Sequence, residues 1–126
     1  AFNRIMDAFG LPKKTDEEKA ARHQAIQDAT KFATEVPFKT MMLCYECMEV
    51  VKAMAEIGNP NSVTDAGVGA LAARSGVIGA FLNVKINAAG LDDKEYANDI
   101  ISRGEKVVEM AKQMETDILN IVNSKI

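Results

Sequence analysis

Asp65, Asn83 and Asn87 are the side chains whose type and spacing best suit chemistry. Asn83 and Asn87 are four residues apart, so on a helix they share one face. Followed backwards in steps of three and four, that face carries Ala80, Gly76, Ala73 and Gly69. It is one ridge, with glycine and alanine at one end and carboxamides at the other. A smooth ridge lets a second backbone or a flat ligand come close. Glycine costs roughly 1 kcal/mol relative to alanine inside a helix, so glycines at 67, 69, 76 and 79 imply a packing or binding reason. Tight helix–helix packing with two satisfied core amides explains the same ridge. Asp65 stands in Ser62-Val63-Thr64-Asp65, a cap-like start. It is either a first-turn acid stabilised by the helix dipole or a working carboxylate.

Other reactive residue types offer less. Cys44 and Cys47 lie one helical turn apart among Leu43, Met48 and Val51. Two cysteines and one histidine, His23, do not make a four-ligand zinc site. A redox CxxC opens a helix in a βαβ setting, and no β pattern is present. Two buried, reduced thiols are expected, with no metal. His23 lies on a charged stretch with no nearby partner in sequence and is expected to be solvated. The net charge is −3 and the pI about 5.2, which gives no basic footprint for nucleic acid. No uninterrupted apolar run reaches the ~18 residues of a membrane span, and no signal-peptide pattern is visible. A cytoplasmic protein that binds neither nucleic acid nor membrane is expected.

The elements that must carry these residues follow from periodicity and caps. Residues 1–9 place Phe2, Ile5, Met6 and Phe9 on one face, as in the end of an amphipathic helix. Gly10 and Pro12 close it. The chain starts abruptly, as a helix already under way, so one or more N-terminal helices are expected to be missing. Thr15-Asp16-Glu17-Glu18 is a capping box with an acidic first turn. Val36-Pro37 reads as a boundary, because the residue before proline avoids the α region and proline suits a first turn. From Pro37 to Ile57 the sequence is apolar nearly all round, which suits a bundle centre or a subunit interface. Gly58 closes that helix.

The ridge helix starts near Ser62 to Thr64 and ends between Asn87 and Gly90. A last helix opens with Asp92 and Glu95 as its capping pair and reaches Asn123, roughly 45 Å if continuous, with Gly104 as a soft spot. The fold class expected is all-α: a single helical domain over 1–126, in which the end of one helix and four longer ones form an up-and-down bundle.

Several stretches together resemble a known family. They are Ala1-Phe2, Leu11-Pro12-Lys13 with Thr15, Glu17-Glu18-Lys19 with Arg22, and Val36-Pro37. The most specific are Gly58-Asn59 with Ser62, Asp65 and Val68, then Gly79-Ala80, Leu82-Asn83-Val84 and Ile86-Asn87. The pattern resembles the cyclodeaminase/cyclohydrolase family of folate one-carbon enzymes, which comprises formimidoyltetrahydrofolate cyclodeaminases and methenyltetrahydrofolate cyclohydrolases. The resemblance covers essentially the whole chain. It implies an all-α homodimer with a folate site among its helices and chemistry centred on 5,10-methenyltetrahydrofolate. No metal or redox cofactor is implied; a tetrahydrofolate derivative is the substrate. Asp65, Asn83 and Asn87 are then expected to line the folate site, and Lys13 to meet the glutamate tail. The chain departs from the family pattern in one respect. The family's Pro-Gly-Gly-Gly-Ser type run and the aspartate assigned as catalytic lie upstream, the latter just before the position of Ala1. No catalytic role therefore carries over to a residue here. Without a complete catalytic constellation, the competing reading is a non-catalytic helical module that dimerises through residues 37–57.

Overall fold

A computed structural model describes residues 1–126. The chain folds as α1 (Phe2–Phe9), α2 (Asp16–Ile57), a short 3₁₀ turn (Pro60–Ser62), α3 (Val63–Ala89) and α4 (Lys94–Asn123). The all-α expectation holds. The capping box forms at the start of α2: the Glu18 N–H donates to Thr15 Oγ1 at 3.2 Å, and Glu18 Oε2 accepts from the Thr15 N–H at 3.2 Å.

The boundary expected at Val36-Pro37 does not form. α2 runs unbroken for 42 residues with Pro37 inside it. Proline in a helix interior removes one hydrogen bond and costs about 3 kcal/mol. Here the carbonyl so deprived, that of Ala33, accepts instead from Asn87 Nδ2 on α3 at 2.8 Å. A donor from a different helix lets α2 continue through its proline. The expected four long helices are therefore three.

Those three form an up-down-up bundle. Gly69 lies against Val51, Gly76 against Cys44, and Asn87 against Ala33. These pairs put α2 and α3 antiparallel in one constant register. Gly67 meets Leu119 and Val122, Phe81 meets Gly104, and Arg74 Nε bonds Glu115 Oε2 at 2.7 Å, so α3 and α4 are antiparallel too. α1 packs on the first part of α2, where Arg22 donates to the Phe9 carbonyl. The core lies between α2, α3 and α4, with Met41, Met48, Val77, Val84 and Ile118 fully buried.

Gly104 is not a soft spot. It is buried, and a Cβ there would collide with the ring of Phe81. The cap of α4 also shifts by one residue: Asp93, not Asp92, accepts from the Tyr96 N–H at 2.9 Å. The absence of a membrane-length apolar stretch fails as an expectation at α3. By length and composition that helix could cross a membrane, with a window of mean hydropathy 1.4. Arg74 and Lys85 interrupt the apolar run, while the average over the helix stays high. In the bundle, one face of α3 from Val63 to Ala88 is buried.

Candidate ligand-binding site

Two cavities open along the groove between α2 and α3. The larger, about 670 Å³, is lined by Phe2 and Ile5 of α1, by Val36, Pro37, Thr40 and Cys44 of α2, and by Gly76, Gly79, Ala80, Asn83 and Asn87 of α3. The volume falls within the range of small-molecule sites. Gly76 and Ala80 of the small-residue ridge, with Gly79 beside them, line its α3 wall. A Cβ at Gly76 would come within 3.0 Å of Cys44 Sγ, so glycine lets α2 close on α3 at that point. Gly79 faces open space, with nothing within 4 Å of where its Cβ would be. Packing therefore occupies the ridge at Gly76, while the cleft opens next to it at Gly79.

The polar groups of this cavity are all neutral side chains. Asn87 Nδ2 is held by the Ala33 carbonyl at 2.8 Å, and Asn83 Nδ2 by the Gly79 carbonyl at 3.1 Å. Thr40 Oγ1 donates to the Val36 carbonyl at 3.1 Å. No charged side chain lines the cavity.

The second cavity, about 400 Å³, is lined by Val50, Val51 and Met54 at the end of α2, by Gly58, Asn59 and Ser62 in the connection, and by Asp65, Ala66 and Gly69 of α3. Gly58 is required there, because a Cβ would collide with the Met54 carbonyl. Ser62 makes no side-chain cap, so the cap-like tetrad does not close; Asn59 Oδ1 instead takes the Asn61 N–H at 3.0 Å. Asp65 lies exposed in the first turn of α3, where the helix dipole favours its charge.

The structure thus joins Asn83 to Asn87 but keeps Asp65 apart from both. Asp65 and Asn83 are separated by about 27 Å along one helix at 1.5 Å per residue. Lys13 lies exposed in the α1–α2 connection and lines neither cavity.

The remaining candidates are placed as follows. The two thiols are free but not both buried: Cys44 is half-buried at the larger cavity and Cys47 is exposed. Their helix lies at the bundle edge on the Cys47 side, which corrects the expected pair of buried thiols. His23 is exposed as expected, yet it has a partner, Asp92 Oδ2 at 2.6 Å. A cluster the sequence did not reveal surrounds Tyr96, whose hydroxyl donates to Glu35 Oε1 at 3.2 Å while Lys31 Nζ lies 4.2 Å from its ring centroid. Burial and the Glu35 carboxylate push the Tyr96 phenol up to about 12. The partners are too far apart in sequence for periodicity to pair them.

Comparison with known proteins places the chain among its relatives. A sequence model of the family described as formiminotransferase-cyclodeaminase matches residues 1–106. Over 126 residues the chain is 44% identical to a methenyltetrahydrofolate cyclohydrolase of Methylorubrum extorquens, covering all of this chain and 61% of that protein. It is 31% identical over 125 residues to a formimidoyltransferase-cyclodeaminase of Gallus gallus, covering 99% of this chain and 23% of that protein. The corresponding protein of Mus musculus is 29% identical, with the same coverage. The chain spans about three fifths of the cyclohydrolase and under a quarter of the two longer proteins.

Proposed function

The chain belongs to the formiminotransferase-cyclodeaminase family, and from that premise we propose that it serves a folate one-carbon enzyme that hydrolyses the methenyl bridge of 5,10-methenyltetrahydrofolate. Water adds to the bridging carbon, which becomes tetrahedral between N5 and N10. One proton of the added water is released, the other passes from the carbinol oxygen to one nitrogen, and cleavage of that nitrogen's bond to carbon leaves an N–H there and a formyl group on the other nitrogen. The reaction consumes only water and needs proton transfer at oxygen and nitrogen.

The observation that carries this reading is the larger cavity: a mostly apolar cleft lined by Gly76 and Gly79 and by the carboxamides of Asn83 and Asn87, of a size for a fused heterocycle. With no charged side chain, this cavity binds and orients. Asp65, the carboxylate of the second cavity, is assigned to the same substrate's binding surface, and Lys13 to its glutamate carboxylates. The higher identity to the cyclohydrolase favours hydrolysis. A second reading, closure of 5-formiminotetrahydrofolate with loss of ammonia, is favoured by the two cyclodeaminase matches. It passes through the same kind of tetrahedral carbon.

A homodimer belongs to this proposal. Val68, Leu71, Leu82 and Ile86 form an exposed apolar stripe on the outer face of α3, and Leu43, Val50 and Met54 extend it on α2. Exposed patches of this kind mark interaction sites. A cytoplasmic setting suits the free thiols.

The test uses the full-length protein. Methenyl absorbance and ammonia are followed together, with 5,10-methenyltetrahydrofolate and then 5-formiminotetrahydrofolate as substrates. Accelerated loss of the methenyl band without ammonia is the expected result. Methenyl formation with stoichiometric ammonia establishes the second reading, and inactivity with both substrates refutes the proposal.

A further inference from the structure

Pro37 and Asn87 are coupled by a single missing proton. In a regular helix the amide of residue 37 would donate to the carbonyl of residue 33. Proline has no such proton, and Asn87 Nδ2 donates to Ala33 O in its place. A carbonyl only accepts, so the nitrogen of the carboxamide must face it and the oxygen must face away. The same logic fixes Asn83, whose Nδ2 meets the Gly79 carbonyl, and Thr40, whose hydroxyl proton meets the Val36 carbonyl. These three are the only hydrogen-bonding side chains of nitrogen or oxygen that line the larger cavity. Thr40 has spent its only donor on the protein, and each carboxamide has spent one of its two N–H protons, so the two Asn side chains keep one N–H and their oxygen lone pairs in a fixed orientation. Asn83 is exposed, and Asn87 Oδ1, which has no protein partner, is not buried, so neither oxygen is committed to the protein.

We infer that the larger cavity presents carboxamide oxygens of fixed orientation that select a heterocycle by an edge of N–H donors, and that Pro37 is the positioning residue that sets this orientation by leaving Ala33 O to the Asn87 NH₂ group. The inference rests on the larger cavity being the folate site, and it adds which edge of the pterin enters: the edge with the 2-amino group and its neighbouring ring N–H. An oxo group at that place would set oxygen against oxygen.

The experiment measures binding of pterin and of lumazine to the full-length protein by equilibrium dialysis. Lumazine carries an oxo group where pterin carries the 2-amino group. The wild type is expected to prefer pterin by about tenfold or more, the factor that one hydrogen bond of ordinary net strength commands. In Pro37→Ala the backbone amide returns to Ala33 and competes with Asn87. The pterin preference is expected to fall several-fold while Tm rises, and exchange of the Asn87 side-chain NH₂ protons, followed by NMR, accelerates. A purely structural role for Pro37 would move Tm and leave the preference unchanged.

Equal binding of the two probes, binding of neither, or an unchanged preference and NH₂ exchange in Pro37→Ala would overturn the inference. Loss of preference in the wild type with methenyltetrahydrofolate hydrolysis intact defeats the inference alone. Pterin preference without any folate turnover defeats the proposed activity alone.

Discussion

Tyr96 shows how a single side chain acquires a property that its sequence neighbours do not suggest. Its phenol bonds to Glu35 and is pushed up to about 12 by burial and by that carboxylate. Because the folded value lies above the unfolded value near 10, the contribution is complete below pH 10. It is lost as pH rises from about 10 through 12, since the unfolded chain releases the proton first. Wild-type Tm should therefore fall more steeply across that interval than the Tm of Tyr96→Phe, in parallel thermal melts. Equal slopes would mean that the phenol is not held in this way. Nothing in the sequence signals this property of Tyr96, because Glu35 and Lys31 reach it from another helix. Pro37 is the sharper case. It was legible as an obstacle to a helix, but the donor that relieves the obstacle comes from Asn87, on α3. A local rule cannot see a remedy that arrives through the fold.

Helices read better, because periodicity is local. The ridge on α3 was visible from Gly69 to Asn87, and the structure packs it against α2 at Gly69 and Gly76 and opens a cavity beside it at Gly79. Gly104 was misread for the opposite reason. A lone glycine in an otherwise regular helix looks like a weakness until the ring of Phe81 is placed against it. Gly104→Ala is expected to destabilise the protein by about 1–3 kcal/mol through overpacking, despite the better helix propensity of alanine, as measured by urea unfolding. A stabilised variant would show that the Phe81 ring has room to move. The caps of α3 and α4 lie one residue or more from the simplest pattern, since Ser62 makes no cap bond and Asp93 rather than Asp92 caps α4.

At the scale of the whole molecule, the bundle leaves two kinds of surface on the same side: the α2–α3 groove with its cavities, and the apolar stripe from Val68 to Ile86. The sequence indicated the stripe indirectly, as a helix too apolar for an outer position, but assigned it to residues 37–57. The structure buries Met41, Met48 and Ala55 of that segment, leaves its Leu43, Val50 and Met54 exposed, and continues the apolar surface on α3. If a second copy covers the stripe, Ile86→Lys should shift the full-length protein from dimer to monomer in sedimentation velocity with its helicity retained. An unchanged dimer would place the interface elsewhere. The cavities themselves were not legible, because a cleft depends on how three helices lean together and not on any one of them. Asp65 and the two asparagines, grouped by motif, turn out to lie at opposite ends of one long helix.

The most direct measurement concerns Gly79. Its Cβ position opens onto the larger cavity and touches nothing, so Gly79→Leu fills the cleft without pressing on the bundle. Leucine also favours the helix over glycine by up to about 1 kcal/mol. Turnover of 5,10-methenyltetrahydrofolate and Tm should be measured together on the full-length variant. The account predicts an unchanged or raised Tm with hydrolysis reduced at least a hundredfold. Wild-type turnover in a folded Gly79→Leu protein would contradict it and remove this cavity from the reaction.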